Sequence, residues 1–224
     1  MRCKRGRICS DASARRTLKL LLAIYRYPVK SLRGESLARA EIAPGGIPGD
    51  RAAALFVERG HARTGKAYRG KEDERLHRVG DLALALAAAE ERGVALRRES
   101  AAPHYFDDSP LSLVLEPWRA DAERICGREL DVRRFRPNLV ADAIAGAERE
   151  SDLIGAELRI GERVRLRVTK AIRRCVAITY DPERDAVDPG ILRALAQERE
   201  ATFGVYCEVL LPGECAVGEA ILRV

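Results

Sequence analysis

The sequence predicts a β-rich α+β protein. Short apolar or alternating runs, separated by turns that contain Gly and Pro, recur along the chain and are typical of strands. Longer helical patterns are few, which favours an architecture dominated by β-barrels. Hydrophobic residues make up 46% of the chain and charged residues 33%, a composition typical of a folded globular protein. Its 224 residues suffice for one large domain or two small, closely packed ones.

The first predicted strand is Leu21–Tyr27, a run with β-branched and aromatic residues that is followed by Pro28. Residues 37–43 alternate moderately between apolar and polar side chains and are predicted as the second strand. Residues 44–49 (PGGIPG) form a turn, because glycine reaches backbone angles that other residues cannot adopt cheaply. Residues 50–58 begin with charged side chains and become apolar, which predicts a third strand.

Residues 59–75 are polar, cationic and interrupted by glycine, so we expect a long loop with a functional or mobile character. Alanine and leucine dominate residues 76–92, and Gly93 follows, which predicts a helix. Residues 94–99 return to strand alternation, and residues 107–110 form a turn.

In the middle of the chain, residues 111–115 predict a short buried strand. A helix over residues 117–127 follows, since proline fits the first turn of a helix. Residues 130–135 and 139–142 are predicted as two strand segments, and Arg136-Pro137-Asn138 interrupts them.

The C-terminal third is mostly strand, with one helix predicted from after Asp188-Pro189 to about Glu200. The strands predicted there cover residues 157–160, 163–169, 174–180, 202–211 and 216–224.

The positive charge of the chain is confined to its N-terminus. The net charge is +6, but residues 1–20 hold seven Lys and Arg and one Asp, so the remainder is balanced. We expect residues 1–19 to be a basic, disordered extension, with an organelle presequence as the alternative. The neutral remainder argues against nucleic-acid binding. No apolar run is long enough to predict a membrane span.

Six cysteines without a C-x-x-C pair predict neither a disulfide framework nor a structural zinc site, and indicate reduced thiols in the cytoplasm. Cys175 is the strongest candidate for chemistry. If residues 174–180 are extended, Arg173, Cys175, Ala177 and Thr179 share one face. A neighbouring guanidinium favours the thiolate, which is a nucleophile and a ligand for soft metals. The alternative is a small buried hydrophobic side chain.

Three further segments carry groups suited to an oxyanion. Arg136 and Asn138 flank a proline turn, and a planar guanidinium suits phosphate. Lys30 and Ser31 follow the first strand, and Arg51 precedes the third. Surface salt bridges are the alternative for each of these side chains.

Taken together, residues 22–224 resemble proteins of the MOSC family, which is named for the molybdenum cofactor sulfurase C-terminal domain. The segments that carry this resemblance are Tyr27-Pro28-Val29-Lys30-Ser31, Gly49-Asp50-Arg51, Asp108-Ser109-Pro110, Arg134-Phe135-Arg136-Pro137-Asn138, Arg173-Arg174-Cys175, Thr179, Asp181-Pro182, Phe203-Gly204-Val205-Tyr206 and Pro212-Gly213 with Val217-Gly218.

The resemblance implies a MOSC N-terminal β-barrel-like region over residues 20–105 and a MOSC β-barrel domain over residues 106–224. It also implies a molybdenum cofactor (Mo-molybdopterin), with Cys175 as the molybdenum ligand and catalytic residue. The cofactor-binding positions that it implies are Lys30, Ser31, Arg51, Ser109, Arg136, Asn138, Arg174, Thr179 and Asp181. Of these, Lys30, Ser31 and Arg51 match positions that contact the pterin and its phosphate in mitochondrial amidoxime-reducing relatives.

Three departures from the family pattern concern the substrate pocket. Ser151-Asp152-Leu153 stands where the family has an acidic residue two places before a tryptophan. Ile178 replaces the first of two threonines, and Asp185 replaces the glycine of a turn.

The expected function is reduction of N-hydroxylated or otherwise N-oxygenated small molecules. The chain lacks a C-x₄-C-x₂-C iron–sulfur pattern, so we expect electrons from a separate reductase or ferredoxin-like protein. One alternative is a sulfur carrier or cofactor-handling protein that holds a persulfide on Cys175 and works beside a pyridoxal-phosphate-dependent cysteine desulfurase. A second is a basic-tailed interaction protein.

Overall fold

The structure, a computed structural model, describes residues 19–224. The extension predicted over residues 1–19 therefore lies outside the described residues, except for Lys19. No helix among the described residues has the length and apolar character needed to cross a membrane.

The described residues form twelve strands and three α-helices, which confirms the predicted β-rich α+β class. The strands are β1 (Leu21–Arg26), β2 (Glu35–Leu37), β3 (Arg39–Ile42), β4 (Ala54–Gly60), β5 (Val94–Glu99), β6 (Leu111–Leu115), β7 (Leu139–Ala141), β8 (Glu157–Ile160), β9 (Val164–Arg173), β10 (Thr202–Leu211), β11 (Gly213–Ala216) and β12 (Ile221–Arg223). The helices are α1 (Leu82–Glu91), α2 (Glu116–Cys126) and α3 (Pro189–Arg199).

Eight strands make one sheet in the order β12-β8-β9-β10-β6-β7-β1-β2. Its neighbouring strands are antiparallel, except that β6 and β7 run parallel. Two further pairs, β11 with β3 and β4 with β5, complete the strands of the described chain. The main sheet thus contains strands from both sides of residue 105, while the domain boundary placed there stays a prediction.

The two ends of the described chain meet in this sheet system. The Leu21 N–H donates to the Glu219 carbonyl at 2.8 Å, and the Ile221 N–H donates to the Lys19 carbonyl at 2.8 Å. The β3 strand pairs with β11 over four residues. Backbone hydrogen bonds therefore join segments that are about 200 residues apart in the sequence.

The hydrophobic residues form two cores. The larger core lies around the main sheet and includes Trp118, Phe135 and Phe203, with the two Phe rings stacked at 3.8 Å. The smaller core lies between α1 and the β4–β5 strand pair and includes Leu55 and Leu76. The candidate site lies between the parts of the chain that build these two cores.

Helices α2 and α3 confirm the predicted helix signals. Pro117 lies in the first turn of α2, and Gly127 ends it with a left-handed φ of 66°. The Asp188 carboxylate accepts the Gly190 N–H at 3.0 Å, which caps the start of α3.

Two segments predicted as strands are short 3-10 helices instead. Residues 132–135 turn because the Asp131 carboxylate accepts the Arg133 N–H at 2.8 Å, which starts a helical turn. Residues 176–179 form a 3-10 turn because they have no strand to pair with. The pairing of β9 with β10 ends at Arg173 and Thr202, where β10 begins. Consequently the prediction that Arg173, Cys175, Ala177 and Thr179 share one face is wrong.

Three other boundaries differ from prediction. Helix α1 begins at Leu82 because the Asp81 carboxylate caps it at the Leu84 N–H, while residues 74–78 form a separate 3-10 helix. The strand predicted over 37–43 is divided between β2 and β3, and the one predicted over 216–224 between β11 and β12. The third predicted strand begins at Ala54, since Asp50 and Arg51 form a turn.

Candidate functional site

A cavity of about 320 Å³ opens between residues 30–77 and residues 107–206. Eight cationic side chains line it: Lys30, Arg51, Arg69, Lys71, Arg134, Arg136, Arg173 and Arg174. Asp107 is the only acidic residue among the described residues that line this cavity, and it pairs with Lys30 at 2.5 Å. The cavity is therefore strongly cationic and suited to an anionic ligand.

Six of the ten predicted site residues line this cavity: Lys30, Ser31, Arg51, Arg136, Arg174 and Cys175. They come from loops after β1 and before β4, from the turn before β7, and from the end of β9. The other four, which are Ser109, Asn138, Thr179 and Asp181, are not among the side chains that form its wall.

Asn138 lies behind the cavity wall and joins three segments. Its Oδ1 atom accepts hydrogen bonds from the Ser112 N–H at 3.2 Å and the Ser112 hydroxyl at 3.0 Å. Its Nδ2 atom donates to the Tyr25 carbonyl at 3.3 Å. Arg51 Nη1 also donates to Asn138 Oδ1, at 3.4 Å. Asn138 thus positions a cavity cation.

Ser109, Thr179 and Asp181 also use their polar atoms within the protein. The Ser109 hydroxyl donates to the Cys207 carbonyl at 2.8 Å, and the Thr179 hydroxyl donates to the Val176 carbonyl at 2.7 Å. Asp181 pairs with Arg134 at 2.5 Å, so it holds one of the cations that line the cavity.

Three residues of the cavity have strained backbone conformations. Ser31, Arg51 and Arg136 have φ values of 73°, 46° and 51°, and they are three of the five non-glycine residues with positive φ in the described part of the chain. This left-handed region is unfavourable for residues with a Cβ atom. Such strain persists where the surrounding structure enforces it, and it is concentrated at functional sites.

The Arg51 side chain is fixed from several directions. Its Nη1 atom forms an ion pair with Asp50, whose other oxygen accepts the Tyr27 N–H at 2.7 Å. Its Nη2 atom donates to the Arg136 carbonyl at 3.1 Å. The guanidinium groups of Arg51 and Arg136 also lie 4.8 Å and 4.3 Å from the centre of the Tyr27 ring. Tyr27 therefore supports two cations of the cavity.

Arg136 and Arg174 each leave one buried guanidinium nitrogen without a hydrogen-bond partner in the described part of the chain. Arg136 Nη1 donates to the Leu32 carbonyl at 2.7 Å, whereas its Nη2 has no partner. Arg174 donates to the Phe203 carbonyl at 2.7 Å and to the Phe135 carbonyl at 2.8 Å, and its Nη2 also has no partner.

Burial lowers the pKa of Arg136 and of Arg174 to about 10, so both side chains stay charged at neutral pH. A buried donor without an acceptor costs about 1–3 kcal/mol. An oxyanion in the cavity would supply both acceptors and countercharge, which makes the pair fit a phosphate-bearing ligand.

Gly204 gives Arg174 the space that it occupies. The φ of Gly204 is 79°, and a Cβ atom there would lie 2.9 Å from Arg174 Nη2 and 3.1 Å from the Leu113 carbonyl oxygen. Only glycine satisfies both the backbone angle and the close approach.

Cys175 is exposed and lines the cavity. It directly follows Arg174, whose N–H donates to the Ala201 carbonyl at 2.7 Å, just beyond the ends of the paired strands β9 and β10. Cys207 and Cys215 are buried, and burial raises the pKa of each thiol to about 12. The interpretation as a small buried hydrophobic side chain therefore fits these two cysteines but not Cys175. No cluster of three or more His, Cys, Asp or Glu able to hold a metal occurs in the part of the chain that the structure describes.

Several side chains that line the cavity did not emerge as individual candidates from the sequence. His77 lay inside a predicted helix, and Tyr206 lay inside a predicted strand. Arg69 and Lys71 belong to the cationic loop that was predicted to be functional or mobile, so the loop composition was the available signal for them.

His77 is neutral and has a defined tautomer. Its Nδ1 atom lies 3.3 Å from Arg136 Nη1, which can only donate, so the ring proton resides on Nε2. The ring is 8% exposed and stacks on Tyr180 at 5.2 Å. Burial and, to a smaller extent, the Arg136 charge lower the pKa of His77 to about 3.

This lowered pKa predicts that acid destabilises the protein through His77. Between an unfolded-state pKa of 6.5 and a folded-state pKa of about 3, the unfolded chain binds a proton that the folded chain does not. The stabilisation is therefore complete above pH 6.5 and is lost as the pH falls toward 3. Urea unfolding of wild type and a His77→Gln variant should differ in their loss of stability by about 1–2 kcal/mol between pH 6.5 and 5. Parallel pH profiles would contradict this prediction.

Two family models match the chain. Residues 19–97 match the family model of the MOSC N-terminal beta barrel domain, and residues 101–222 match that of the MOSC domain. No curated protein matches the chain by sequence.

Solved structures similar to this chain have low sequence identity, and the first one named below shares its fold. The YuaD protein from Bacillus subtilis has a TM-score of 0.56 and 15% identity, over 91% of this chain and 93% of that chain. The YiiM protein from Geobacillus stearothermophilus has a TM-score of 0.49 and 12% identity, over 92% of this chain and 75% of that chain.

Proposed function

Because the chain belongs to the MOSC family, with a MOSC N-terminal beta barrel domain ahead of its MOSC domain, we propose that it binds a molybdopterin-type molybdenum cofactor and reduces N-hydroxylated or N-oxygenated small molecules. The observation that carries this proposal is a cationic cavity in which two buried guanidinium donors lack acceptors, beside an exposed thiol.

The residues of the cavity fit the chemistry of this cofactor. Arg136 and Arg174 are oriented by backbone carbonyls, and Arg51 is oriented by Asp50 and Asn138. These three cations would bind the phosphate of the pterin, with Lys30 and Ser31 beside them. Cys175 would hold molybdenum through its thiolate, which is a suitable ligand for a soft metal centre.

When bound, the cofactor supplies the redox chemistry, while the protein supplies binding and orientation. In the reduction the N–O bond of the substrate breaks and the oxygen leaves as water. Two electrons come from a ferredoxin-like or flavin-containing reductase partner, and two protons come from solvent. Phe135, Ile172 and Ile178 give the cavity an apolar wall, so the organic part of a small substrate can pack there.

The proposal predicts stoichiometric molybdenum and pterin in protein purified from a host that makes the cofactor. The pterin content of an Arg136→Gln variant should be at least about tenfold lower than that of wild type, because a charge-assisted hydrogen bond to the phosphate is lost. Arg165→Gln is the matched control, since Arg165 is exposed on β9 away from the cavity. Elemental analysis and pterin fluorescence measure both quantities. Absence of both components from wild type, when a control enzyme from the same host is loaded, would contradict cofactor binding.

A second candidate function is supported by the exposure of Cys175. In a sulfur carrier, the Cys175 thiolate would attack the outer sulfur of a persulfide on a pyridoxal-phosphate-dependent cysteine desulfurase. The S–S bond of the donor would break, its cysteine would leave as a thiolate, and Cys175 would become the persulfide. A persulfide trapped on Cys175 in protein that binds no molybdenum would favour this function over the first.

A further inference from the structure

Six of the eight cations of the cavity form two groups of three that differ in exposure and in the contacts that hold them, while Lys30 and Arg134 are paired with Asp107 and Asp181. Arg51, Arg136 and Arg174 are held by backbone carbonyls or by Asp50, as described above. Arg69, Lys71 and Arg173 are exposed where they line the cavity, and we call these three the rim cations. The proposed function gives the first group a ligand, the cofactor phosphate, but it gives the rim cations none.

The rim cations carry more positive charge than their neighbours neutralise. Glu72 is shared between Arg69 and Lys71, at 3.8 Å and 3.5 Å. Arg173 forms no ion pair and no side-chain hydrogen bond with the residues that the structure describes. The one acid in the cavity wall, Asp107, is already paired with Lys30.

The position of the rim cations indicates a small ligand. Arg173 lies two residues before Cys175, and all three rim cations border the concave cavity rather than a flat surface. The cavity volume of about 320 Å³ is in the range of small-molecule sites. An anion held at the rim would place the remainder of the same molecule near Cys175.

We propose, on the basis of the proposed reductase function, that the substrate of this site carries a negatively charged group, such as a carboxylate, and that the rim cations bind this group. The N–O group of the substrate then faces Cys175, and the charge sets substrate preference. Each exposed cation contributes modestly because water and salt screen it, so the preference comes from the three acting together.

The test uses benzamidoxime and two derivatives that differ only at the para position, one with a carboxylate and one with a trimethylammonium group. Cofactor-loaded, full-length protein should show kcat/KM in the order carboxylate, neutral, cation, with about a tenfold preference for the carboxylate over the neutral compound. This preference should shrink as the salt concentration rises.

Variants locate the effect. Arg173→Gln and Lys71→Gln should each lower the ratio of kcat/KM between the carboxylate and neutral compounds by about threefold, whereas Arg165→Gln should leave the ratio unchanged. Equal kcat/KM for the three compounds would overturn the proposal. So would an effect of the rim variants confined to the KM for the electron-donor protein, which would make the rim a docking surface for an acidic partner.

A calorimetric titration separates this proposal from the proposed function. If the protein reduces none of the compounds but binds the carboxylate more tightly than the cation, and loses this difference in Arg173→Gln, the anion site stands and the reductase function fails. If it reduces all three compounds at equal rates and binds them equally, the reductase function stands and the anion site fails.

Discussion

Replacing Glu150 by alanine is expected to lower the free energy of unfolding by about 3 kcal/mol. Glu150 is 3% exposed, and both of its carboxylate oxygens accept from Arg199 Nη2, at 2.8 Å and 2.6 Å. Arg199 is also buried, and Asp121 is its other carboxylate partner. Without Glu150, the buried guanidinium of Arg199 keeps only Asp121 as a carboxylate partner. Removing one partner of a buried ion pair is strongly destabilising because the remaining charge is left buried and only partly compensated.

The same carboxylate also serves the backbone next to the cavity. Glu150 Oε1 accepts the Gly204 N–H at 3.0 Å, so the alanine variant leaves this buried donor without a partner as well. Urea unfolding measures the loss. Glu208→Ala is the control, because Glu208 pairs with Arg167 at an exposed site and should cost less than about 1 kcal/mol. A Glu150→Ala variant as stable as this control would show that the buried pair does not stabilise the fold.

Replacing Cys175 by serine is expected to lower turnover by more than about 100-fold. Loss of a residue that only supports a metal ligand already lowers metal affinity or activity by about 10–100-fold, and Cys175 is proposed as the ligand itself. A serine hydroxyl is a poor ligand for a soft metal centre, so the molybdenum content should fall as well. Pterin should remain, because Arg136 and Arg174 are unchanged. This separates the variant from Arg136→Gln, in which pterin is lost.

The fold should tolerate this change. Cys175 is exposed, and its side chain makes no capping hydrogen bond to the 3-10 helix that follows it. Cys126→Ser, at the partly buried end of α2, is the matched control and should keep full activity. The ligand assignment would be wrong if Cys175→Ser kept wild-type molybdenum content and turnover.

Sequence patterns correctly predicted the elements whose conformation depends on residues close together in the sequence. Strands β5, β6 and β10 match their predicted residues, and α2 ends at Gly127 as its sequence indicates. The strand predicted over 174–180 failed for a non-local reason. Its apolar residues suit a strand, but the neighbouring strand begins only at Thr202, and Glu200 and Ala201 before it adopt left-handed backbone conformations.

For the site and its surroundings, too, the sequence reveals residues marked by their local sequence but not contacts between distant residues. Arg136 and Cys175 could be singled out because their chemistry and neighbours in sequence mark them. Glu150 could not, since its partners Arg199 and Gly204 are about 50 residues away and only the folded chain brings them together. The role of Asn138 as a cofactor contact stays a prediction. In the structure its amide contacts Arg51, Ser112 and Tyr25, and a sequence pattern does not reveal these contacts.

The pairing of the two ends of the described residues has a consequence for how the protein is made. During synthesis, β3 emerges from the ribosome long before its partner β11. The backbone hydrogen bonds of Leu21 likewise cannot form until residues 218 and 219 have been synthesised. These contacts give the protein a high contact order, which slows folding because a long loop must close before the pairing compensates its entropy. The N-terminal region therefore completes its pairing only after translation of residues 213–223, and until then β3 is a nascent-chain segment with an open edge.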